Sequence, residues 1–219
     1  SLSIYGMVVI GGLFLHVMLV YITLLRLFTK VTVRDFFKAL RPAQLLAFST
    51  SSSAATLPVT KECCEKGLGV SSEVASFSLP LGATVNMDGT ALYQAVAAVF
   101  IAQVLGITLG IGAQINIVIL TVLASIGTAA VPGAGIIMLV IILQANGVPS
   151  SGIGLILGVD RILDMCRTVT NVTGDAVVTT IVANSEGQLG ETEEPFADDE
   201  DEDQPVASSG SGIQSEPRT

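Results

Sequence analysis

Charge is what this chain of 219 residues has least of. Only 13% of it is Asp, Glu, Lys or Arg, against about a quarter in soluble domains. From Gly89 to Val159 the chain runs 71 residues without one of them. Half the chain is hydrophobic and mean hydropathy is +0.70, so the shortage of charge excludes an ordinary soluble domain and points to an integral membrane protein. Cysteine is scarce as well. Cys63, Cys64 and Cys166 show no C-x-x-C spacing and no neighbouring histidine, which argues against a zinc site or a disulfide scaffold. His16 is the lone histidine, set in an apolar run, and reads as a helix-packing residue rather than a ligand. No nucleophile–base pair and no catalytic metal cluster marks an enzyme, and no nucleic-acid partner is expected.

The net charge of −9 misrepresents the apolar body. Residues 191–219 hold ten acids and one base, which from totals of 19 and 10 leaves nine of each sign in residues 1–190. The acidic end, residues 187–219, reads as a disordered, solvated cytoplasmic tail. An apolar run that opens on Ser1 without a start Met reads as the C-terminal part of a longer protein.

Residues 1–30 are expected to form a transmembrane helix, because the 21 residues Tyr5–Leu25 carry no charge and suffice to span a bilayer. Arg26, Lys30, Arg34, Lys38 and Arg41 follow, opposed only by Asp35, which assigns that end to the cytoplasm. Residues 31–70 read as a re-entrant hairpin. Their apolar stretch is broken by Ser51–Ser53 and Pro58 and flanked by charge on both sides. Non-helical backbone at membrane depth is tolerated where it lines a cavity or is buried in protein. Residues 71–108 read as a transmembrane helix broken at NMDGT, Asn86–Thr90. In residues 109–148 two apolar arms flank IGTAAVPGAG; the whole is too short for two full spans, so a second re-entrant hairpin is expected. Residues 149–186 are the last, polar transmembrane helix. A hairpin followed by a span occurs twice, as in an inverted repeat, and interrupted helices in corresponding halves point to a transporter site near the midplane. The fold class is an all-α membrane protein with two re-entrant helical hairpins and a broken helix.

The chemistry concentrates in DRILDMCRTVTNVTGD. Asp160, Asp164, Arg167, Asn171 and Asp175 stand at offsets 0, 4, 7, 11 and 15, within an arc of about 80° on one helix. Ionisable groups in an apolar helix face one another, water or a ligand. A stripe carrying both signs suits a zwitterion and its counter-ions. Arg167 is the natural fork for a ligand carboxylate, and Asp164 on the same face suits a ligand ammonium; the alternative is an internal i,i+3 pair without a ligand. Unwound backbone at NMDGT offers carbonyl oxygens, and Asn86, Asp88, Asn171 and Asp175 add side-chain oxygens, a set that suits a hard monovalent cation such as Na+. Ser51–Ser53 and Val131–Gly135 present hydroxyls and backbone N–H groups fit for an anion.

SSSAATLPVT, SLPLGATVNMDGTALYQ, ASIGTAAVPGAG and DRILDMCRTVTNVTGD together resemble the signatures of the dicarboxylate/amino acid:cation symporters, the glutamate and aspartate transporter family, in the family's order over residues 3–186. The resemblance implies a homotrimer of the full-length protein in the cell membrane, with an elevator-type transport domain, a cytoplasmic C-terminus and no organic cofactor. It implies that Arg167 binds the substrate side-chain carboxylate, that Asp164 takes the ammonium, and that Asn171 and Thr90 hold the α-carboxylate and amino groups. Ser52 and Ser53 in the first hairpin, with Val131 and Gly135 in the second, would complete the pocket. Co-transported Na+ would be held at Asp175 with the carbonyls of Gly82, Asn86 and Asn171, and at carbonyls of Thr84, Met87, Ser125, Ile126 and Thr128. Asp88 and Asn86 would serve a third position.

Arg167 implies acidic amino acids, L-glutamate or L-aspartate, as substrates. Gln94 stands where animal glutamate transporters carry a titratable Glu, which argues against potassium countertransport. The family's second arginine is missing from its usual places, which hold Thr50 and Met165 here. The reading is thus a Na+-coupled importer of acidic amino acids, with a proton-coupled symporter, a neutral amino acid transporter or a sensor of the same fold as alternatives.

Overall fold

Residues 2–190 are described in a computed structural model; the acidic run 191–219 lies outside the described residues. The described residues form no strand, and all regular structure is helical. Helices α1 (Leu2–His16) and α2 (Ile22–Phe28) are joined without a turn by a π-helical segment, Val17–Tyr21. They make one apolar rod, Leu2–Phe28, long enough to cross a membrane. Thr32 caps α3 (Val33–Thr50), its hydroxyl accepting from Asp35 N at 3.2 Å, an arrangement that satisfies an orphan N–H of the first turn.

The chain then folds back on itself twice. α3 breaks at Ser51, which adopts the left-handed conformation at φ 53°; only a tight, over-determined turn holds a non-glycine residue there. Ser52 caps α4 (Ser53–Glu62), accepting from Ala55 N. In the second hairpin α7 (Ile111–Ser125) and α8 (Ala134–Ala145) flank the turn 126–133. Asn116 Nδ2 donates to Asn146 Oδ1 at 3.0 Å, tying the start of α7 to the end of α8 and making the pair antiparallel.

Between the hairpins lies one long helix in two pieces, α5 (Ser72–Val85) and α6 (Asp88–Val104). Asn86 (φ −101°, ψ 65°) and Met87 (φ −103°, ψ 56°) leave helical geometry, and Asp88 occupies the first turn of α6, where the helix dipole favours a carboxylate. α9 (Leu157–Ser185) is unbroken over 29 residues. It starts eight residues later than the expected span because Ser150–Leu155 wind as a 3₁₀ turn.

Two apolar cores divide the molecule. The first joins Leu25, Phe36, Leu40, Leu68, Leu79 and Val177, that is α2, α3, the link between α4 and α5, α5 itself and the second half of α9. The second joins Val9, Ile101, Ile117, Leu139 and Leu163, that is α1, α6, α7, α8 and the first half of α9. The polar stripe of α9 runs between them. Outward-facing Met7, Phe14, Leu19, Phe77, Ile111 and Ile137 are all more than half exposed, the apolar girdle of a membrane protein.

The start of the expected tail is held in place. Gly187 is left-handed at φ 65°, Gln188 O accepts from Ser71 N at 3.1 Å, and Gly190 N donates to Gly69 O at 2.7 Å. Leu189 packs on the first core, and that apolar anchor, with the backbone bonds, orders a segment whose composition alone reads as solvated.

Candidate functional site

α9 delivers the polar stripe to the centre. Asp160, Asp164, Arg167, Asn171 and Asp175 are all buried. Arg167, at 2% exposed, donates from Nε to Asp164 Oδ1 at 2.9 Å and from Nη1 to Asp160 Oδ1 at 3.3 Å. Its guanidinium carbon lies 4.0 Å from the centroid of the Tyr93 ring, a cation–π stack that fixes the plane of the fork. The Tyr93 hydroxyl donates to Asp160 Oδ1 at 2.6 Å. Two edges of the guanidinium are therefore anchored, while Nη2 is buried without a hydrogen-bond partner. A charged donor left unsatisfied in the interior costs its full desolvation, so Nη2 is the atom best placed to receive a carboxylate.

Arg167 lines a cavity of ≈ 20 Å³, smaller than any amino acid. It is lined by Ser51 and Ser53 of the first turn, by Thr128–Val131 and Gly135 of the second, by Met87 and Thr90 at the helix break, and by Asp164, Arg167 and Asn171. Of the substrate-site residues expected from the sequence, Ser53, Thr90, Val131, Gly135, Asp164, Arg167 and Asn171 meet there. Ser52 turns instead to the opposite tip, its Oγ donating to Ala130 O at 2.8 Å. Ala54 N reaches the same oxygen at 3.3 Å, and Ser51 takes the place on the wall. Gly133 N donates to Asp164 Oδ2 at 2.9 Å. The groups suited to a ligand's ammonium and carboxylate thus satisfy one another, and the second tip lies shut over them.

Glycine permits this approach at two places. Gly89 N donates to Asn171 Oδ1 at 2.8 Å, and a Cβ there would lie 2.7 Å from the Arg167 carbonyl oxygen. With Asn171 Nδ2 donating to Thr90 Oγ1 at 3.0 Å, the break is pinned to α9. A Cβ on Gly82 would lie 2.8 Å from Asp175 Oδ1.

The oxygen groups fall into three neighbourhoods. Asp175 receives Asn86 Nδ2 at 3.1 Å, lies against Gly82, and stands one turn beyond Asn171. It forms no ion pair among the described residues. Thr84 meets the second tip, its carbonyl accepting from Gly127 N at 2.9 Å, while Ser125 O accepts from Thr128 N at 3.2 Å; Ile126 lies between, and Met87 lies on the cavity wall. Asp88 stands apart from Asn86 and turns to the first rod. Its Oδ2 accepts from Tyr21 OH at 3.0 Å and faces His16 Nε2 at 3.2 Å.

That contact corrects the reading of His16 as a packing residue. Its ring does pack edge-on against Tyr21 at 4.8 Å, but its nitrogen serves Asp88, 72 residues away. No local pattern announces such a pair. Tyr93 and Asp160 were likewise given no site role, although Asp160 was legible as part of the stripe. Gln94, fully buried, donates from Nε2 to Gly135 O at 3.1 Å and so ties α6 to the second tip.

The model of the sodium:dicarboxylate symporter family matches residues 1–185. The chain belongs to the sodium:dicarboxylate symporter family. It is 47% identical over 182 residues to human excitatory amino acid transporter 1, covering 83% of this chain and 34% of that protein. It is 44% identical over 181 residues to a Caenorhabditis elegans excitatory amino acid transporter, covering 83% of this chain and 36% of that protein. Against rat excitatory amino acid transporter 1 the match reaches 95% of this chain at 42% identity and 42% of that protein. The chain thus spans between a third and a half of the length of these curated relatives. Its family is one of membrane transporters rather than enzymes.

Proposed function

We propose that this symporter chain forms the substrate- and cation-binding part of a secondary active transporter that imports L-aspartate or L-glutamate together with Na+. The observation that carries the proposal is the buried, doubly anchored Arg167, which lines the cavity and keeps an unpartnered Nη2. A fork held in this way selects a side-chain carboxylate, while Asp164, released from Gly133, takes the ammonium. The names of the relatives, all excitatory amino acid transporters, support an acidic amino acid.

Charge balance supports cation coupling. Among the described residues Asp160, Asp164 and Asp175 are buried against a single buried base, Arg167, which leaves a formal charge of −2. An acidic amino acid brings a further −1, and uncompensated charge in the interior costs several kcal/mol per ion. Cations at the oxygen groups of Gly82, Asn86, Asn171 and Asp175, and of Thr84, Met87, Ser125, Ile126 and Thr128, offset it, with Asp88 as a third position. The two hairpins are re-entrant and their tips are the gates; ≈ 20 Å³ admits no substrate until one tip withdraws. The full-length protein is a homotrimer with a moving transport domain, and its C-terminus is cytoplasmic.

A proton-coupled reading rests on the same Asp175, because a buried carboxylate without a base is neutralised by a proton as well as by a cation. Uptake of labelled L-aspartate by the full-length protein in proteoliposomes separates the two. Uptake that requires an inward Na+ gradient supports the proposal, whereas uptake under a pH gradient alone replaces Na+ with H+. Absence of uptake under either gradient, with labelled alanine transported instead, shifts the substrate to neutral amino acids.

A further inference from the structure

The end of the molecule where α2 finishes and α3 begins carries a basic surface that the transport site does not use. Arg26 closes α2, Lys30 lies in the link, and Arg34 and Arg41 stand on α3, all exposed. Positions 34, 38 and 41 share one helical face, opposite the face that buries Phe36, Leu40, Ala43 and Ala47. None of Arg26, Lys30, Arg34 and Arg41 forms an ion pair among the described residues. Two further bases at this end, Lys61 and Lys66, are engaged by Glu65 at 3.6 Å and Glu62 at 2.9 Å. The acid nearest in sequence, Asp35, is bonded to Thr32 Oγ1 at 2.6 Å in the cap of α3.

The last helix ends on this same surface. Asn184 Nδ2 donates to Phe28 O at 2.9 Å, midway in sequence between Arg26 and Lys30, and Gly190 is fastened to Gly69. Immediately beyond comes the most acidic part of the sequence, with Glu191, Glu193 and Glu194, then six consecutive acids from Asp198 to Asp203. Eight residues of chain, from Gly190 to Asp198, reach at most about 27 Å. A segment tethered this close is present at an effective concentration in the millimolar range, so weak surface ion pairs add up to occupancy that no free acidic peptide would achieve.

We propose that the acidic segment 191–203 docks on the basic surface formed by Arg26, Lys30, Arg34 and Arg41. This intramolecular contact joins the chain's end to the link between the first transmembrane rod and the first hairpin. The Ser51–Ser53 gate is carried at the far end of α3, so the docked segment bears on the helix that supports that gate. The proposal is independent of the identity of the transported substrate.

The test is zero-length carbodiimide crosslinking of the full-length protein in nanodiscs of phosphatidylcholine alone, read by mass spectrometry. Lys30 or Lys38 should join to carboxylates of residues 191–203. Yield should fall about tenfold in 1 M salt, where the screening length is about 3 Å. It should fall as far when Asp198–Asp203 are neutralised to Asn and Gln. Absence of these crosslinks in phosphatidylcholine overturns the proposal. It is also overturned if amine labelling of Lys30 is unaffected by neutralising the segment but drops when phosphatidylserine is added, because the surface then reads lipid headgroups. Substrate uptake is not the readout, so failure of the transport reading and failure of this contact are distinguishable.

Discussion

Replacing Arg167 with Ala tests the centre of the argument, and the structure sets its size. Two of the guanidinium's edges are committed to Asp164 and Asp160, so on the proposed function a substrate carboxylate meets Nη2 alone. One charge-assisted hydrogen bond is worth about 1.5–3 kcal/mol. A unit charge pair at about 4 Å adds up to about 4 kcal/mol at an effective dielectric of 20, part of which is offset by desolvation. A net loss of about 3–4 kcal/mol corresponds to roughly 10²–10³ in affinity for L-aspartate. Alanine, which has no side-chain carboxylate, loses none of this and should bind R167A as tightly as the parent. The same substitution leaves Asp160 and Asp164 buried without a base, at about 3–5 kcal/mol of stability. Adding Asp160→Asn removes one orphaned charge and should recover part of that stability without recovering aspartate binding. Calorimetric titration of the purified full-length protein with aspartate and alanine at saturating Na+ reads the first effect; thermal unfolding with and without D160N reads the second. If R167A binds aspartate within about threefold of the parent, Arg167 is not the carboxylate clamp and the pocket reading fails.

Three further outcomes follow from the same geometry. Asp175→Asn keeps the hydrogen bond from Asn86 possible while removing the charge; the Na+ concentration for half-maximal uptake should rise at least about tenfold, since a buried carboxylate–cation contact is worth a kcal/mol or more, and an unchanged Na+ dependence would remove Asp175 from the cation site. Gly89→Ala places a methyl 2.7 Å from the Arg167 carbonyl oxygen, a backbone atom that yields little; a loss of about 1–3 kcal/mol in stability should appear as a lower unfolding temperature, and wild-type stability would show that α6 and α9 do not approach so closely. Ser52→Ala deletes both the cap of α4 and the bond to Ala130, about 1 kcal/mol for the cap; fluorescence or crosslinking between labelled tips should report more frequent separation, which an unaltered distance distribution would contradict.

How much of this was legible depended on whether the signal was local. The charge-free run and the 4-3-4-4 spacing on α9 are local, and so they placed the buried stripe and Arg167 correctly beside Asp164. Helix interruption at Asn86–Met87 was legible for a similar reason, because a carboxylate and glycine in an apolar helix are poor choices unless the backbone opens. Contacts across long separations left no such trace. His16 and Asp88 are 72 residues apart and Tyr93 and Asp160 are 67 apart; an apolar run with one histidine looks the same whether that histidine packs or bonds. Ser51 and Ser52 illustrate a finer limit. In a run of serines the composition marks a turn, but which hydroxyl faces the pocket and which locks the opposite tip is decided by one left-handed residue.

The closed pocket also constrains how substrate binding is coupled to gating. Asp164 accepts from Gly133 N on one oxygen and from Arg167 on the other; each oxygen keeps acceptor capacity, but a cavity of ≈ 20 Å³ leaves no room for an amino acid while the second tip lies down. On the proposed function, binding begins with the tip lifting from Asp164, and the bond given up there is replaced by the ammonium. When the tip returns over a bound amino acid, the N–H of Gly133 needs another acceptor, and a substrate carboxylate is the group the pocket brings. The exchange nearly conserves hydrogen bonds while adding a negative charge. In a site already at −2, reclosure over an acidic substrate then depends on a cation at the Asp175 group or at the Thr84 carbonyl beneath the tip. On this account Na+ dependence resides chiefly in closure rather than in first contact: without Na+ the tips should be found open with aspartate weakly held, and adding Na+ should shorten the tip-to-tip distance only when aspartate is present. Tips that close equally on Na+ alone and on Na+ with aspartate would break the link between the substrate's charge and the gate.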